Sequence, residues 1–368
     1  MKNIALVTWL GTGNYGTSLQ SYALHHFLQE KNYNVFLLHE FEYKKLGERK
    51  SIKAILRSAK NELLYKIDTL TDAKTCKVDK FNQQNYNHCW IKKPNDYFQL
   101  LANTDVFLTG SDQIWNCFHF YEPFMFLDFA SADRKKVAYA SSMGTTQFPE
   151  NCIKEVSWLL AQFKHIGVRE KSCADYLNKL LARNDVKCVL DPTFLLDANE
   201  RKAFGSKAKV EFTLSGKYIL CYFVGNRNEY AAQLESVKAK TGINNIIVIP
   251  SLENKDIAVP NAFIYKKAGP YEFINLLDHA SLICTDSFHA CALSINLSKD
   301  FVVFKRFDDA DKKSQNSRIY DLMDMFDLQN NIYTADWESH HNESPKLLQT
   351  LHDKRKESID YLINAIER

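Results

Sequence analysis

The sequence has no apolar run long enough to cross a bilayer: stretches such as 218–224 and 246–249 fall far short of the roughly 20 residues that a spanning helix needs. It also has little net charge. Lysine and arginine number 47 against 44 aspartates and glutamates, which gives no general case for nucleic-acid binding and makes any basic site a local one. Nine cysteines occur without a C-x-x-C pair, and Met1-Lys2-Asn3 leads straight into strand-like residues. Together these predict free thiols and a cytoplasmic chain. No spacing of ligating side chains matches a metal site, no segment repeats at a solenoid period, and no stretch is of low complexity.

What the chain does have is 368 residues at 45% hydrophobic content, enough for two ordinary cores. Residues 3–8 read as a buried strand, Gly11-Thr12-Gly13-Asn14-Tyr15-Gly16 as a turn, and 17–30 as a helix with Leu19, Tyr22, Ala23 and Phe27 on one side. A strand at 35–39 completes a βαβ unit, which implies a parallel sheet with right-handed crossovers. Strands at 105–109, 135–140, 165–168 and 186–190 then alternate with helices near 96–101, 151–162 and 173–181. After Asp191-Pro192-Thr193 the pattern restarts, with strands at 218–224, 246–249, 281–285 and 301–304 and helices at 229–240 and 271–278. The chain closes on a polar helix over 346–368 with Leu347, Leu348, Leu351, Ile359, Leu362 and Ile363 as its stripe. The reading is an α/β protein in three parts: one unit over 1–188, a second over 189–342, and a C-terminal helix, 343–368, packed across them.

The stretch 281–297 combines a strand, a polar turn and a helix start. Asp286 or Ser287 can cap that helix, whose free N–H groups and positive end favour an anion. His289 in the first turn is within reach of such an anion and can move a proton near neutral pH; the plainer reading is a helix-start histidine bonded to a neighbour. Strand 105–109 runs into Gly110-Ser111-Asp112, which sets a hydroxyl and a carboxylate where open α/β sheets bind ligands, although short polar residues also cap such turns. Arg169 crowns strand 165–168, either forked onto a carboxylate or phosphate or paired with Glu170 at the surface. The G-x-G-x-x-G match over 11–16, with Glu40 after the next strand, makes a dinucleotide fold a rival, though Asn14 and Tyr15 are bulky for a close approach to a pyrophosphate. From Lys44 to Lys66 there are eight basic and two acidic residues, while Ile52, Ile55, Leu56, Ala59 and Leu63 recur at helical spacing. This basic amphipathic helix, 50–66, either packs its apolar face on the domain or lies on an anionic membrane surface. The pairs His25-His26 and His340-His341 are expected at the surface.

Several stretches, taken in order, resemble the polysaccharide pyruvyl transferase family. They are Gly13-Asn14-Tyr15-Gly16 with Leu19-Gln20-Ser21-Tyr22-Ala23-Leu24, then Gly110-Ser111-Asp112-Gln113-Ile114-Trp115-Asn116, and Tyr139-Ala140-Ser141-Ser142-Met143-Gly144. Val168-Arg169-Glu170, Asp191-Pro192-Thr193-Phe194-Leu195-Leu196, Thr285-Asp286-Ser287-Phe288-His289-Ala290 and Ser317-Arg318-Ile319-Tyr320-Asp321-Leu322 continue the match across nearly the whole chain. The resemblance implies two Rossmann-like domains facing across a cleft, similar to B-type glycosyltransferases, with the first on the acceptor side and the second on the donor side. Members transfer the enolpyruvyl unit of phosphoenolpyruvate onto a sugar of a surface polysaccharide or its precursor, giving a pyruvate ketal and phosphate.

Carried onto this sequence, the resemblance implies His289 as proton donor or phosphate partner and Asp112 as base. It implies Arg169, Ser287, Phe288, Asn14, Tyr15, Ser111, Ser142, Arg318 and Lys305 as substrate-binding residues, with no metal and no cofactor beyond the donor. The expected partners are phosphoenolpyruvate and a sugar acceptor, lipid-linked or free, with no nucleic acid; a peripheral contact of helix 50–66 with the inner face of the membrane is the alternative to its packing on the domain. Many relatives carry arginine where this chain has Ser287, so one charge is missing at the phosphate, and Lys305, Arg306 and Arg318 are its candidate replacements. Two rivals use the same fold: a nucleotide-sugar glycosyltransferase, which lacks its acidic pair near Asp286, and a non-catalytic phospho-sugar binder, which Ser287 would suit. An oxidoreductase using NAD rests on the glycine turn and Glu40 alone.

Overall fold

The computed structural model describes residues 1–11, 13–48, 52–212, 216–252, 254, 259–311 and 314–368, without the side chains of 52, 54, 55, 58, 62 and 68. Thr12 of the glycine turn, residues 50 and 51 of the expected basic helix, and the side chains of Ile52 and Ile55 therefore lie outside the described residues.

Short apolar strands such as Asn3–Val7 read as continuous hydrophobic runs because both of their faces are covered, the signature of a parallel sheet. Seven of them, β1 (Asn3–Val7), β2 (Asn34–Leu38), β3 (His88–Cys89), β4 (Val106–Thr109), β5 (Lys136–Ser141), β6 (His165–Val168) and β7 (Lys187–Cys188), form one sheet in the order β3-β2-β1-β4-β5-β6-β7. A second, five-stranded sheet runs β10-β9-β8-β11-β12, built from β8 (Tyr218–Tyr222), β9 (Asn245–Val248), β10 (Phe263–Ile264), β11 (Leu282–Thr285) and β12 (Phe301–Val303). Every pairing is parallel. In each sheet the strand order reverses once, between β1 and β4 and between β8 and β11, which opens a crevice at the carboxyl ends of those strands. The two crevices supply the walls of one cleft.

The helices are α1 (Tyr15–Glu30), α2 (Ile52–Thr71), α3 (Ala73–Asn85), α4 (Pro94–Asn103), α5 (Glu150–Leu160), α6 (Lys171–Leu180), α7 (Ala198–Gly205), α8 (Glu229–Thr241), α9 (Pro270–His279), α10 (Phe288–Asn296), α11 (Ser317–Met325) and α12 (Pro345–Glu367). The sequence pattern passed over β3 and β10, which have two residues each and carry no readable alternation. It also passed over α3 and α7. All nine cysteines are free. His25, expected at the surface, is buried beside Tyr86, and burial pushes its pKa down to about 4.

Tyr15 and helix α12 are among the contacts that fasten the halves together. Tyr15 at the start of α1 stacks on Phe273 with ring centroids 4.6 Å apart, and its hydroxyl donates to the Ala268 carbonyl at 2.8 Å. Lys74 Nζ sits 4.6 Å from the same ring. Helix α12 then returns from beside the second sheet to the first. Tyr361 packs against Gly167, Ser358 Oγ accepts from the Leu190 N–H at 2.9 Å, and Lys2 and Lys135 donate to the Ile366 carbonyl at 2.9 and 2.7 Å. Those lysines satisfy a carbonyl that a helix end would otherwise leave open.

Tyr15 joins the sheets through its ring more than its hydroxyl. Tyr15→Ala should therefore cost roughly 3–5 kcal/mol in urea unfolding, and Tyr15→Phe only about 1 kcal/mol. Equal losses would put the whole effect in the hydrogen bond.

Candidate active site

The end of β4 is shaped for a close approach. Gly110 has φ +136°, and a Cβ there would lie 1.9 Å from the Tyr139 carbonyl oxygen. Asp112 follows at φ +69°, and on the neighbouring strand Ala140 at φ +53° marks the irregular register between Ala138 and Ser141. A non-glycine residue in the left-handed region costs about 1–3 kcal/mol and persists only where its surroundings hold it. Asp112 is held by Thr17 Oγ1, which donates to Oδ2 at 2.7 Å, and by the Gln113 N–H, which donates to Oδ1 at 2.9 Å. The result aims a carboxylate into the cleft.

On the facing wall, Ser287 caps α10, its Oγ accepting from the Ala290 N–H at 3.4 Å. The alternative cap, Asp286, is occupied elsewhere. It accepts from the N–H groups of Val224 and Gly225 at 2.6 and 2.7 Å and from the Tyr230 hydroxyl at 2.8 Å, tying the end of β8 to that of β11. Burial still raises its pKa, against those three donors.

Between the walls lies a buried ionic cluster centred on Arg169. Its Nη1 donates to Asp191 Oδ2 at 3.0 Å and its Nε to Glu170 Oε1 at 2.9 Å, while Asp112 Oδ1 lies 3.9 Å from Nη1. The guanidinium also stands 3.9 Å over the Phe288 ring. The side chain is 1% exposed, so the pairing with Glu170 expected at the surface is a core feature. Arg169 does not line the cavity as an open fork; its guanidinium is occupied by carboxylates, and Nη2 alone lacks a hydrogen-bond partner. His289 joins the cluster through Nε2, 3.5 Å from Asp191 Oδ2 and 3.4 Å from Arg169 Nη1. Its ring reaches there because residue 16 is glycine: a Cβ at Gly16 would lie 2.3 Å from His289 Nδ1. That glycine seats an imidazole across the cleft, a use unrelated to the pyrophosphate that the G-x-G-x-x-G string suggested.

Burial pushes the Asp191 carboxyl up, but His289 and Arg169 more than reverse this and hold it well below the usual carboxylate range. Asp112 follows the same pattern, burial opposed and overcome by His289 and Arg169, so it too is lowered. Asp191 was read from sequence only as the start of a strand-to-loop break. Its place at the hub could have been found only in the D-P-T-F string, because no local periodicity marks it.

The cleft holds a cavity of about 460 Å³ lined by Asn14, Thr17, Asp112, Ser287, Phe288 and His289, together with Arg306, Arg318, Trp9 and Phe120. Tyr15, Ser111, Ser142 and Lys305, expected against substrate, do not line it. Tyr15 is the contact between the halves. Ser111 Oγ donates to the Ala140 carbonyl at 2.6 Å, and Ser142 Oγ donates to Glu170 Oε1 at 2.8 Å, so both brace the cluster from behind. Lys305 Nζ turns to Asp309 at 2.7 Å. Arg318 and Arg306 are the cations on the cavity. Arg318 Nη2 donates to Gln315 Oε1 at 2.7 Å, no carboxylate lies at ion-pair distance from it among the described residues, and burial, with Arg169 adding and Glu170 and Asp112 opposing, pushes its pKa down to about 9. Gln315 Nε2 in turn meets His119 Nε2 at 2.6 Å, a contact between the walls. Trp9 and Phe120, rings 4.9 Å apart, supply an aromatic edge that no sequence signal announced. No group of three or more His, Cys, Asp or Glu among the described residues could hold a metal ion.

The cluster sets a pH dependence. Asp112 and Asp191 have folded pKa values below their unfolded value of about 3.9, so their stabilisation is complete at neutral pH and is lost as the pH falls below about 4. Removing the cation weakens this stabilisation. Arg169→Met takes away one of the two charges that hold these carboxyls down, so the variant should lose about 3–5 kcal/mol at pH 7 and show a smaller deficit against wild type at pH 4. Thermal melting at the two pH values reads this directly; an equal melting temperature for wild type and variant at pH 7 would contradict it.

The Polysaccharide pyruvyl transferase family model matches residues 14–308. No curated protein matches this sequence significantly. Among solved structures, the fold is similar to UDP-GlcNAc 2-epimerase from Methanocaldococcus jannaschii, at 10% identity over 99% of this chain and 100% of that one, with a TM-score of 0.52. It is also similar to a putative UDP-N-acetylglucosamine 2-epimerase from Listeria monocytogenes, at 11% identity over 99% and 91% with a TM-score of 0.51. UDP-GlcNAc 2-epimerase from Neisseria meningitidis, solved with UDP-GlcNAc bound, gives 11% identity over 99% and 94% with a TM-score of 0.50. At such identities the likeness shows the fold alone: two Rossmann-like sheets facing across a cleft, similar to B-type glycosyltransferases. With its family model matched from the α1 cap to beyond β12, the chain belongs to the polysaccharide pyruvyl transferase family and is a transferase.

Proposed function

We propose that the protein transfers the enolpyruvyl unit of phosphoenolpyruvate onto two hydroxyls of a sugar of a surface polysaccharide or its precursor, forming a pyruvate ketal and releasing phosphate. The observation that carries this reading is Arg318, a buried cation with no carboxylate at ion-pair distance among the described residues, on the cavity that Arg306 and His289 also line. Glu170 and Asp112 act on it only from further off, and a phosphate or carboxylate in the cavity supplies both a close charge and the bidentate geometry. Arg318 and Arg306 thereby replace the arginine that relatives carry at the position of Ser287, and the cap of α10 adds N–H donors.

In the reaction, one sugar hydroxyl oxygen bonds to C2 of the enolpyruvyl group while His289 gives a proton to its C3 methylene, which becomes methyl, and the proton that this hydroxyl releases returns to His289. The second hydroxyl then attacks C2, the C2–O bond to phosphate breaks, and the departing phosphate takes up the proton that this hydroxyl releases. His289 is the proton-moving group. Asp191 lies beside Nε2 and orients the ring, which lines the cavity and moves the proton. Asp112, held ionised, accepts a hydrogen bond from the attacking hydroxyl and orients it; its lowered pKa suits that task better than storing a proton at neutral pH. The sugar ring rests against Trp9 and Phe120, while Arg306 and Arg318 stabilise charge developing on the phosphate. No cofactor beyond the donor is required.

Phosphoenolpyruvate should raise the melting temperature, and nucleotide sugars and NAD should not. Stabilisation by nucleotide sugars alone would replace this reading with a glycosyltransferase. With phosphoenolpyruvate and glycosides bearing two neighbouring free hydroxyls, His289→Ala should cut phosphate release by about a hundredfold or more while leaving the fold and donor binding intact. Undiminished release would remove His289 from the chemistry.

A further inference from the structure

Helix α2 is placed against the usual rule. An amphipathic surface helix turns its apolar stripe to the core, yet in α2 the residues Leu56, Leu63 and Leu70 are 64%, 59% and 86% exposed. With Ile67 they share one face, their spacings of seven, four and three residues being those of helix neighbours. The opposite face meets the protein. Tyr65 donates its hydroxyl to Asp79 of α3, and Thr69 is the one described α2 side chain that is not exposed. The helix thus rests on α3 by its polar side and presents leucine outward.

The charges around that stripe say what covers it. Lys53, Arg57 and Lys60 border it on one side and Lys66 on the other, against Glu62 and Asp68 as the acidic residues of the helix. A second copy of this helix would bring like charges together along the seam. An anionic lipid surface meets both features, taking the leucines below the headgroups and pairing the flanking cations with phosphates. No helix among the described residues is long and apolar enough to cross a membrane, so α2 would lie on a bilayer. Its support is firm: α3 is tied to the rim of the cleft by Asn82 Nδ2 donating to the Gly11 carbonyl at 3.1 Å, by Lys74 Nζ donating to the Pro250 carbonyl at 3.0 Å, and by Lys77 with Glu272 at 2.7 Å. We propose that α2 is a membrane-docking helix that binds anionic lipid surfaces through its outward leucine stripe and flanking cations, holding the cleft next to the bilayer. The proposal does not depend on the donor used in the cleft.

The test is co-sedimentation of the full chain with vesicles of phosphatidylcholine and of phosphatidylcholine with phosphatidylglycerol. Binding should be at least about tenfold stronger to the phosphatidylglycerol vesicles and should weaken as salt is raised, as clustered basic residues near a charged surface dictate. Leu63→Ser combined with Leu70→Ser should weaken it by about tenfold or more, because each leucine contributes several buried carbons. The melting temperature should not move, since both side chains are already in water. Lys53→Gln with Lys60→Gln should remove the preference for phosphatidylglycerol. Absence of binding to either vesicle, or unchanged binding by the leucine variant, would overturn the proposal. So would a concentration-dependent dimer that the leucine variant abolishes without vesicle binding, which would assign the stripe to a second copy of the chain.

Discussion

The structure depends on a single guanidinium. Arg169 is buried among Asp112, Glu170 and Asp191, with Phe288 beneath it, and no other arrangement among the described residues places so many charges so far from water. Removing a charge from water costs several kcal/mol unless partners and hydrogen bonds replace its hydration. Here the replacement comes from four segments, so the ends of β4 and β6, the loop after β7 and the start of α10 must come together for the cation to be tolerated. The cluster is thus a constraint on the fold as much as a part of the site.

The same constraint organises the chemistry. Asp191, kept ionised by its neighbours, stands beside His289 Nε2. Gly16 makes room for it from the opposite wall, and the strained backbone at Asp112 aims a carboxylate into the same space. Arg318 is the complement: a cation of similar burial that lines the cavity and has no carboxylate at ion-pair distance among the described residues, Glu170 and Asp112 acting on it from further off. The difference in close partners separates a cation enclosed by carboxylates from one that borders the cavity.

Much of this was legible locally. The alternation of apolar runs and amphipathic stretches gave nearly every strand within a residue or two and most of the helices, since burial on both faces and 3.6-residue periodicity are written in neighbouring residues. The turn strings ending β4, β6 and β11 also mark sheet-edge positions. What these strings did there was not legible. Ser111 and Ser142 look like ligand contacts in sequence yet brace the cluster, Tyr15 joins the two sheets, and Lys305 turns away to Asp309.

The sequence by itself determined an α/β chain with two tandem sheets, a capped helix start carrying His289, and a basic amphipathic helix in the first half. These follow from composition, periodicity and turn chemistry, which act over a few residues. The tertiary structure decided which charges meet, which arginine is spent and which is left for a ligand, why residue 16 must be glycine, and which way α2 faces. Those outcomes depend on distances between segments tens to hundreds of residues apart, and on how much water is removed where they meet. Coulomb energy and desolvation change steeply with both, and neither quantity exists until the chain has folded.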